Sequence, residues 1–171
     1  DTTYSYDENR LAEIFYPDAS GNAFVHNEYD ALDRVTAQTD ARGETWIYHF
    51  SGFRAEEIDP LGNAKSWAFT GQGRPLSETN AENATTTYAY DWQDRLEQRV
   101  SPEGDAVEYA YDERHNPVVE TRVPKPGSGE SSLTWRYEYH PVFDKPTRVE
   151  DPMGRVSNFT YDASTGQLLT A

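Results

Sequence analysis

Cysteine is absent from the 171 residues, so the chain can form no disulfide, no thiolate metal site and no thiol nucleophile. Basic residues are scarce: 15 Lys and Arg stand against 30 Asp and Glu, a formal charge of −15. That balance argues against a nucleic-acid partner, because such proteins owe most of their affinity to cations placed on phosphates. It argues equally against adhesion to anionic lipid. The excess negative charge reads as a solvated, self-repelling surface that keeps a large β-structure soluble. No apolar run approaches the roughly 18 residues of a membrane helix, so membrane insertion is not expected, and the start carries no signal-peptide pattern. Helix signals are missing as well, since Pro and Gly recur throughout and no window carries a 3.6-residue period.

What the chain has instead is repetition. An aromatic residue followed by Asp, or by a degenerate equivalent, recurs at Tyr6-Asp7, Tyr29-Asp30, Phe50-Ser51, Phe69-Thr70, Tyr90-Asp91, Tyr111-Asp112, Tyr139-His140 and Tyr161-Asp162. The steps between these eight aromatics are 23, 21, 19, 21, 21, 28 and 22 residues, a period typical of repeat architectures. A turn glycine keeps the same rhythm at Gly21, Gly43, Gly62, Gly104 and Gly154, with Asn83 in the fourth place. Asn is the common substitute that tolerates the left-handed backbone a glycine supplies.

Each unit reads as a β-hairpin. Its first strand alternates with period two, as in Trp46/Tyr48/Phe50, Tyr88/Tyr90, Val107/Tyr109/Tyr111 and Trp135/Tyr137/Tyr139, which places the rings on one sheet face. An Asp-led turn ending in Arg follows, as at Asp91 to Arg95, where the Asp accepts from the turn's own N–H groups. The second strand covers stretches such as Leu11 to Phe15, Leu96 to Val100, Val118 to Val123 and Thr147 to Val149, and a Pro/Gly turn such as Asp59-Pro60-Leu61-Gly62 closes the unit. Pro124 to Ser132 lengthens one step and reads as an exposed loop rather than a boundary, because the repeat resumes in register at Trp135. The expectation is an all-β fold, a single array of about eight tandem antiparallel hairpins over residues 1–171. About sixteen strands at about 4.8 Å spacing would extend about 75 Å, and sheets of that size curl or split, so a curved or spiral sheet is expected. Tyrosines of neighbouring hairpins are expected to stack as a ladder. The chain opens at Asp1-Thr2-Thr3-Tyr4 without Met and stops at Leu168-Leu169-Thr170-Ala171, which reads as a piece of something longer. Unpaired strand edges at its two ends are expected to invite self-association.

The Tyr-x-Tyr-Asp, Arg-Leu and Asp-Pro-x-Gly elements, repeated at about 21 residues, resemble the Rhs/YD-repeat family of bacterial polymorphic toxins, insecticidal toxin-complex C subunits and teneurins. The resemblance covers essentially the whole chain. It implies a segment of an Rhs β-cocoon shell that winds around a C-terminal toxin domain of the same parent chain, with the neighbouring repeats and the enclosed toxin as partners. It also implies export from a bacterium by type VI secretion or a related route. The family's self-cleaving segment is not among these repeats, so no protease residue is carried over.

Little else suggests chemistry. Glu56, Glu57 and Asp59 carry no calcium-loop or glycosidase spacing, and Asp7, Asp30, Asp91, Asp112 and Asp162 read as turn caps. His26, His49, His115 and His140 lie in different units without metal-ligand spacing. No enzyme, metal or cofactor is expected. The aromatic faces leave one alternative open: Trp46, Trp67 and Trp135, with Trp92, would serve as stacking platforms in a module that binds carbohydrate or a cell-surface partner, or else the rings pack on each other or line the shell's inner wall.

Overall fold

The computed structural model describes residues 1–17 and 23–171, so Gly21 lies outside the described residues. The chain divides into two compact units, Asp1–Thr85 and Thr86–Ala171. The first holds β1 (Thr3–Asp7), β2 (Arg10–Phe15), β3 (Val25–Tyr29), β4 (Val35–Asp40), β5 (Thr45–Ser51), β6 (Arg54–Ile58), β7 (Ala64–Phe69) and β8 (Pro75–Thr79). The second holds β9 (Thr85–Tyr90, whose first residue falls in unit one), β10 (Leu96–Val100), β11 (Ala106–Tyr111), β12 (Pro117–Val123), β13 (Leu133–Tyr139), β14 (Pro146–Glu150), β15 (Val156–Asn158), β16 (Thr160–Tyr161) and β17 (Leu168–Thr170). Strand order follows chain order from β1 to β15, and β16 pairs with β17 alone. The described strands are thus fifteen in one sheet and two in another, against the sixteen expected. The break falls at Phe159, whose N–H donates to the Thr147 carbonyl at 2.8 Å.

Within each unit the sheet is a meander with a ring face and a small, polar face. Cross-strand partners show the division: Gln38 opposes Trp46, Ala55 opposes Trp67 and Glu120 opposes Trp135 on one side, while His49 opposes Glu56 and Glu56 opposes Ser66 on the other. Among the described hydrophobic residues only Ala106 is buried, at 7% exposure. Cohesion therefore rests on backbone ladders, half-buried rings and cross-strand pairs of a few tenths to one kcal/mol each. Thr39–Thr45 and Thr79–Thr85, each joined by hydroxyls 2.9 Å apart, are pairs of this kind.

The Asp-led and the Pro/Gly turns prove to be one turn. At Asp30, Asp40, Asp59, Thr70, Asn80, Asp91, Ser101, Asp112 and Asp151 the first residue donates its N–H to the carbonyl four residues on. Its own carbonyl accepts from the N–H three residues on. That third residue is left-handed, from Asp33 at φ 60° to Gly104 at 90°, which makes each a three-residue hairpin loop. The leading side chain locks it: Oδ1 of Asp30, Asp40, Asp59, Asn80, Asp91, Asp112 and Asp151 accepts the N–H groups two and four residues on at 2.8–3.1 Å. Two degenerate units keep the device with other acceptors. Thr70 Oγ1 accepts from Gln72 and Arg74 at 3.2 and 3.1 Å, and His140 Nδ1 from Val142 and Phe143 at 3.2 and 3.3 Å.

Other turns depart from it: at His140 and Asp162 the first N–H reaches the carbonyl five residues on, Lys145 and Gln167, and two further turns are tighter. Asp7 does not cap; Asp7 opposes Arg10, and Glu8 and Asn9 between them both have positive φ, 48° and 72°, the two-residue I′ geometry. Its carboxylate instead meets Arg10 Nη2 at 2.9 Å. Ser51 opposes Arg54, and Gly52 at φ 58° makes the tight turn.

Every bulge in the ladders has the same address. Opposite the aromatic that precedes the turn, the returning strand carries one extra residue: Tyr29 faces Val35 but Glu28 faces Ala37. The shift recurs at Tyr6, Phe69, Tyr90, Tyr111, Tyr139 and Tyr161, whereas Phe50 faces Ala55 in unbroken register. A bulge disrupts the local ladder and increases local twist.

Candidate functional site

The bulge creates the feature on which the repeats converge. The residue that faces the aromatic across the bulge presents a backbone carbonyl, and the tyrosine of the following unit reaches it. Tyr29 donates its hydroxyl to Leu11 O at 2.7 Å, Tyr111 to Leu96 O at 2.8 Å, Tyr139 to Pro117 O at 3.0 Å and Tyr161 to Pro146 O at 2.7 Å. The registers agree in all four: Glu13 opposes His26, Gln98 opposes Glu108, Val119 opposes Arg136 and Arg148 opposes Asn158. The residue three before the donor always faces the residue two beyond the acceptor.

The turn's last residue completes the junction from the other side. Arg95 gives Nε to Asp91 Oδ2 at 2.7 Å and Nη1 to the Asp112 carbonyl at 3.1 Å, and its guanidinium carbon lies 4.7 Å from the Tyr111 ring centroid. Arg34 repeats this on Asp30 and over Phe50, at 2.8 and 4.7 Å. Arg10 lies 5.4 Å over Tyr29 and Lys145 Nζ 5.6 Å over Tyr161. Asn116 substitutes hydrogen bonds for the cation, reaching Asp112 Oδ2 at 3.1 Å and Asp144 Oδ1 at 2.9 Å. Arg10, Arg34 and Arg95 each bridge their own turn's Asp to the next unit's ring, a contact of about 0.5–1 kcal/mol at exposed sites, whereas Lys145 gives Nζ to the Gly166 carbonyl at 2.6 Å.

The electrostatics suit these roles. The Arg34 guanidinium, then the Arg34 N–H, holds the Asp30 carboxyl below its ordinary value. Burial pushes Asp91 upward, but the Arg95 N–H, the Arg95 guanidinium and the Gln93 N–H outweigh it and the carboxyl is lowered. Burial raises the Tyr111 and Tyr139 phenols, which keeps each hydroxyl protonated as a donor.

Among the ring contacts of the described residues, no ladder of tyrosines from successive hairpins is seen. Tyr109 and Tyr111, 6.5 Å apart, belong to one strand, and His140 with Phe143 and Tyr161 lies at a turn. Successive YD tyrosines sit two strands apart, about 9.6 Å, beyond the reach of ring pairing, and the cation fills the gap.

Of the tryptophans, Trp46, Trp67 and Trp135 are half-buried on the ring face, and Trp92 stands 89% exposed at a turn. Arg122 covers Trp135 from 4.6 Å. Gly43, Gly62, Gly104 and Gly154 hold left-handed turn positions at φ 83°, 85°, 90° and 76°. The polar faces are hollowed, unit one around His49, Arg54, Glu56 and Ser66 and unit two around Gln98, Glu108, Ala110 and Val119, about 380 Å³ each. In the first, His49 Nδ1 lies 2.9 Å from Glu56 Oε2. Among the described residues no group of three or more His, Asp or Glu is placed to hold a metal ion.

An antiparallel meander whose hairpins are joined by tyrosine, bulge carbonyl and arginine defines a hairpin-repeat protein. Residues 29–64 and 69–106 match the family model RHS Repeat, so the chain carries Rhs repeats over those residues. No curated protein matches it in sequence. Its fold is similar to that in the crystal structures of TcdB2-TccC3-Cdc42 (TM-score 0.54, 13% identity, 98% of this chain and 12% of that one) and TcdB2-TccC3-TEV (0.56, 11%, 98% and 11%). The structure of TcdB2-TccC3 without its hypervariable C-terminal region is similar too (0.54, 12%, 98% and 12%). The chain therefore spans about an eighth of the length of the structures it resembles.

Proposed function

We propose that this segment is a stretch of wall in an Rhs-type shell, which encloses a toxin domain carried further along the same parent chain. The parent is exported from a bacterium, by type VI secretion or a related route, toward competitor or host cells. The segment acts by steric containment and contributes no catalysis. The observation that carries this reading is the junction: Tyr29 in the first unit and Tyr111, Tyr139 and Tyr161 in the second each fasten their hairpin to the one before, so that these hairpins are tied to one another instead of standing separate. The sequence of neighbouring repeats, 1–171, is on this reading a single array.

Limited proteolysis of the longer chain tests it. The toxin region resists protease in the intact chain and is cut when residues 1–171 are deleted; equal sensitivity in both forms refutes containment. A carbohydrate-binding reading rests on a separate observation, the half-exposed Trp46 and Trp67 on one sheet face. On that reading folded Trp46→Ala, Trp67→Ala and Trp135→Ala variants lose a signal on a glycan array, and an array blank for the parent chain dismisses it.

A further inference from the structure

One joint inside unit one lacks the junction. Phe50 stands in the register of Tyr29, Tyr111, Tyr139 and Tyr161, with Ile47 opposite Ala37, but has no hydroxyl to give to the Val35 carbonyl. The other two hairpin joints inside the unit are better held. Across β2–β3, Tyr29 and Asn27 both donate to Leu11 O, at 2.7 and 2.9 Å. Across β6–β7, where Phe69 also lacks a hydroxyl, five residue pairs run unbroken from Arg54–Ala68 to Ile58–Ala64, and the Phe69 N–H reaches Phe53 O at 2.8 Å. β4–β5 has three pairs, from Ala37–Ile47 to Thr39–Thr45. Its packing is thin as well: a hollow of about 270 Å³ lies along it, walled by Val35 and Gln38 of β4 and by Tyr48 and Phe50 of β5.

The two ends of this joint differ. The Asp40 turn and the Thr39 and Thr45 hydroxyls, 2.9 Å apart, pin one end. At the other, the Arg34 guanidinium lies 4.7 Å over the Phe50 ring, an attraction that tolerates small displacements, whereas a hydrogen bond weakens steeply once bent. We propose that β4–β5 is a hinge built into unit one: β1–β4 and β5–β8 swing apart as two blocks about the Asp40 turn, each keeping its own ladders. Local opening concentrates where ladders are short and apolar contacts few. On the containment reading this is the line along which the wall yields, a consequence that rests on that reading; the hinge itself follows from the strands alone.

Amide hydrogen exchange on the 171-residue chain, resolved by NMR, reads the opening. Amides bonded across β4–β5 should exchange faster than those of the ladders on either side, β3–β4 and β5–β6. Phe50→Tyr should slow them about two- to twelvefold, the worth of one neutral hydrogen bond, and leave both flanking ladders unchanged. Ala37→Cys with Ile47→Cys, opposed residues in a chain that holds no cysteine, should slow them on oxidation and release them on reduction. Equal protection of the three ladders, protection that merely falls toward β1, or Phe50→Tyr slowing every ladder of unit one alike would overturn the proposal. None of these outcomes bears on containment, which proteolysis of the longer chain decides separately.

Discussion

Removing a single oxygen measures how much the junction holds. Tyr111→Phe keeps the ring, and with it the Arg95 contact at 4.7 Å, but deletes the hydroxyl that donates to Leu96 O at 2.8 Å. A neutral hydrogen bond contributes about 0.5–1.5 kcal/mol net, and a carbonyl left wholly buried without a donor costs about 1–3. Leu96 is half-buried at a bulge, so water reaches the carbonyl in part and the loss should be about 1–1.5 kcal/mol. With a urea slope of about 1–3 kcal/mol/M, the midpoint of unit two should fall by about 0.3–1.5 M. Urea denaturation followed by circular dichroism measures this, with Tyr4→Phe as the control, since Tyr4 is 56% exposed and its change should stay within about 0.5 kcal/mol. If Tyr111→Phe is as stable as Tyr4→Phe, the hydroxyl is incidental and the junction argument fails.

The converse substitution should add a junction. Phe50 stands in the same register to the Val35 bulge, with Ile47 opposite Ala37, so Phe50→Tyr should stabilise unit one by about 0.5–1 kcal/mol, seen as a raised urea midpoint. Two glycines at positive φ should differ: Gly154→Ala at 76° meets open space and should cost about 1 kcal/mol, whereas Gly166→Ala at 67° drives Cβ to 3.0 Å from the Phe143 ring and should cost distinctly more in thermal denaturation. Acid should destabilise the fold through the turn caps. Asp30, Asp59, Asp91, Asp112, Asp151 and Asp162 all have lowered folded-state values. Their stabilisation is complete at neutral pH and erodes as pH falls through the ordinary value of about 3.9 toward the lowered ones. Asp59→Asn with Asp151→Asn, which mimic the neutral cap at Asn80, should flatten the dependence of thermal midpoint on pH; an unchanged slope would show that the caps are not its source.

The hairpins were legible because two independent markers, the aromatic-Asp pair and the turn glycine, kept one period, and β10 falls on Leu96–Val100 as the pattern indicated. The tight turn at Asp7 was visible as well in retrospect, since Arg10 follows Asp7 by three residues where Arg95 follows Asp91 by four. The bulges were not legible: they are a matter of ladder hydrogen bonds, and Leu, Val or Pro at the first returning position looks like any strand residue. That hid the acceptor, so the preference for Tyr over Phe at positions 29, 111, 139 and 161 looked merely aromatic. Shared face alone points to ring stacking, but alternate strands lie too far apart for it, and nothing in the sequence links Arg95 to the ring it covers. Thr70 and His140 break the Asp pattern in sequence but not in structure, because an acceptor of similar reach closes the turn as a carboxylate does.

A wall has an inside and an outside, and photo-cross-linking in the longer chain distinguishes them. A benzophenone side chain placed at Ala110, on the polar face, and separately at Val107, on the ring face, samples the two sides of β11. Containment predicts that one position, and not the other, captures the toxin region. Capture from neither, or equally from both, would contradict the account.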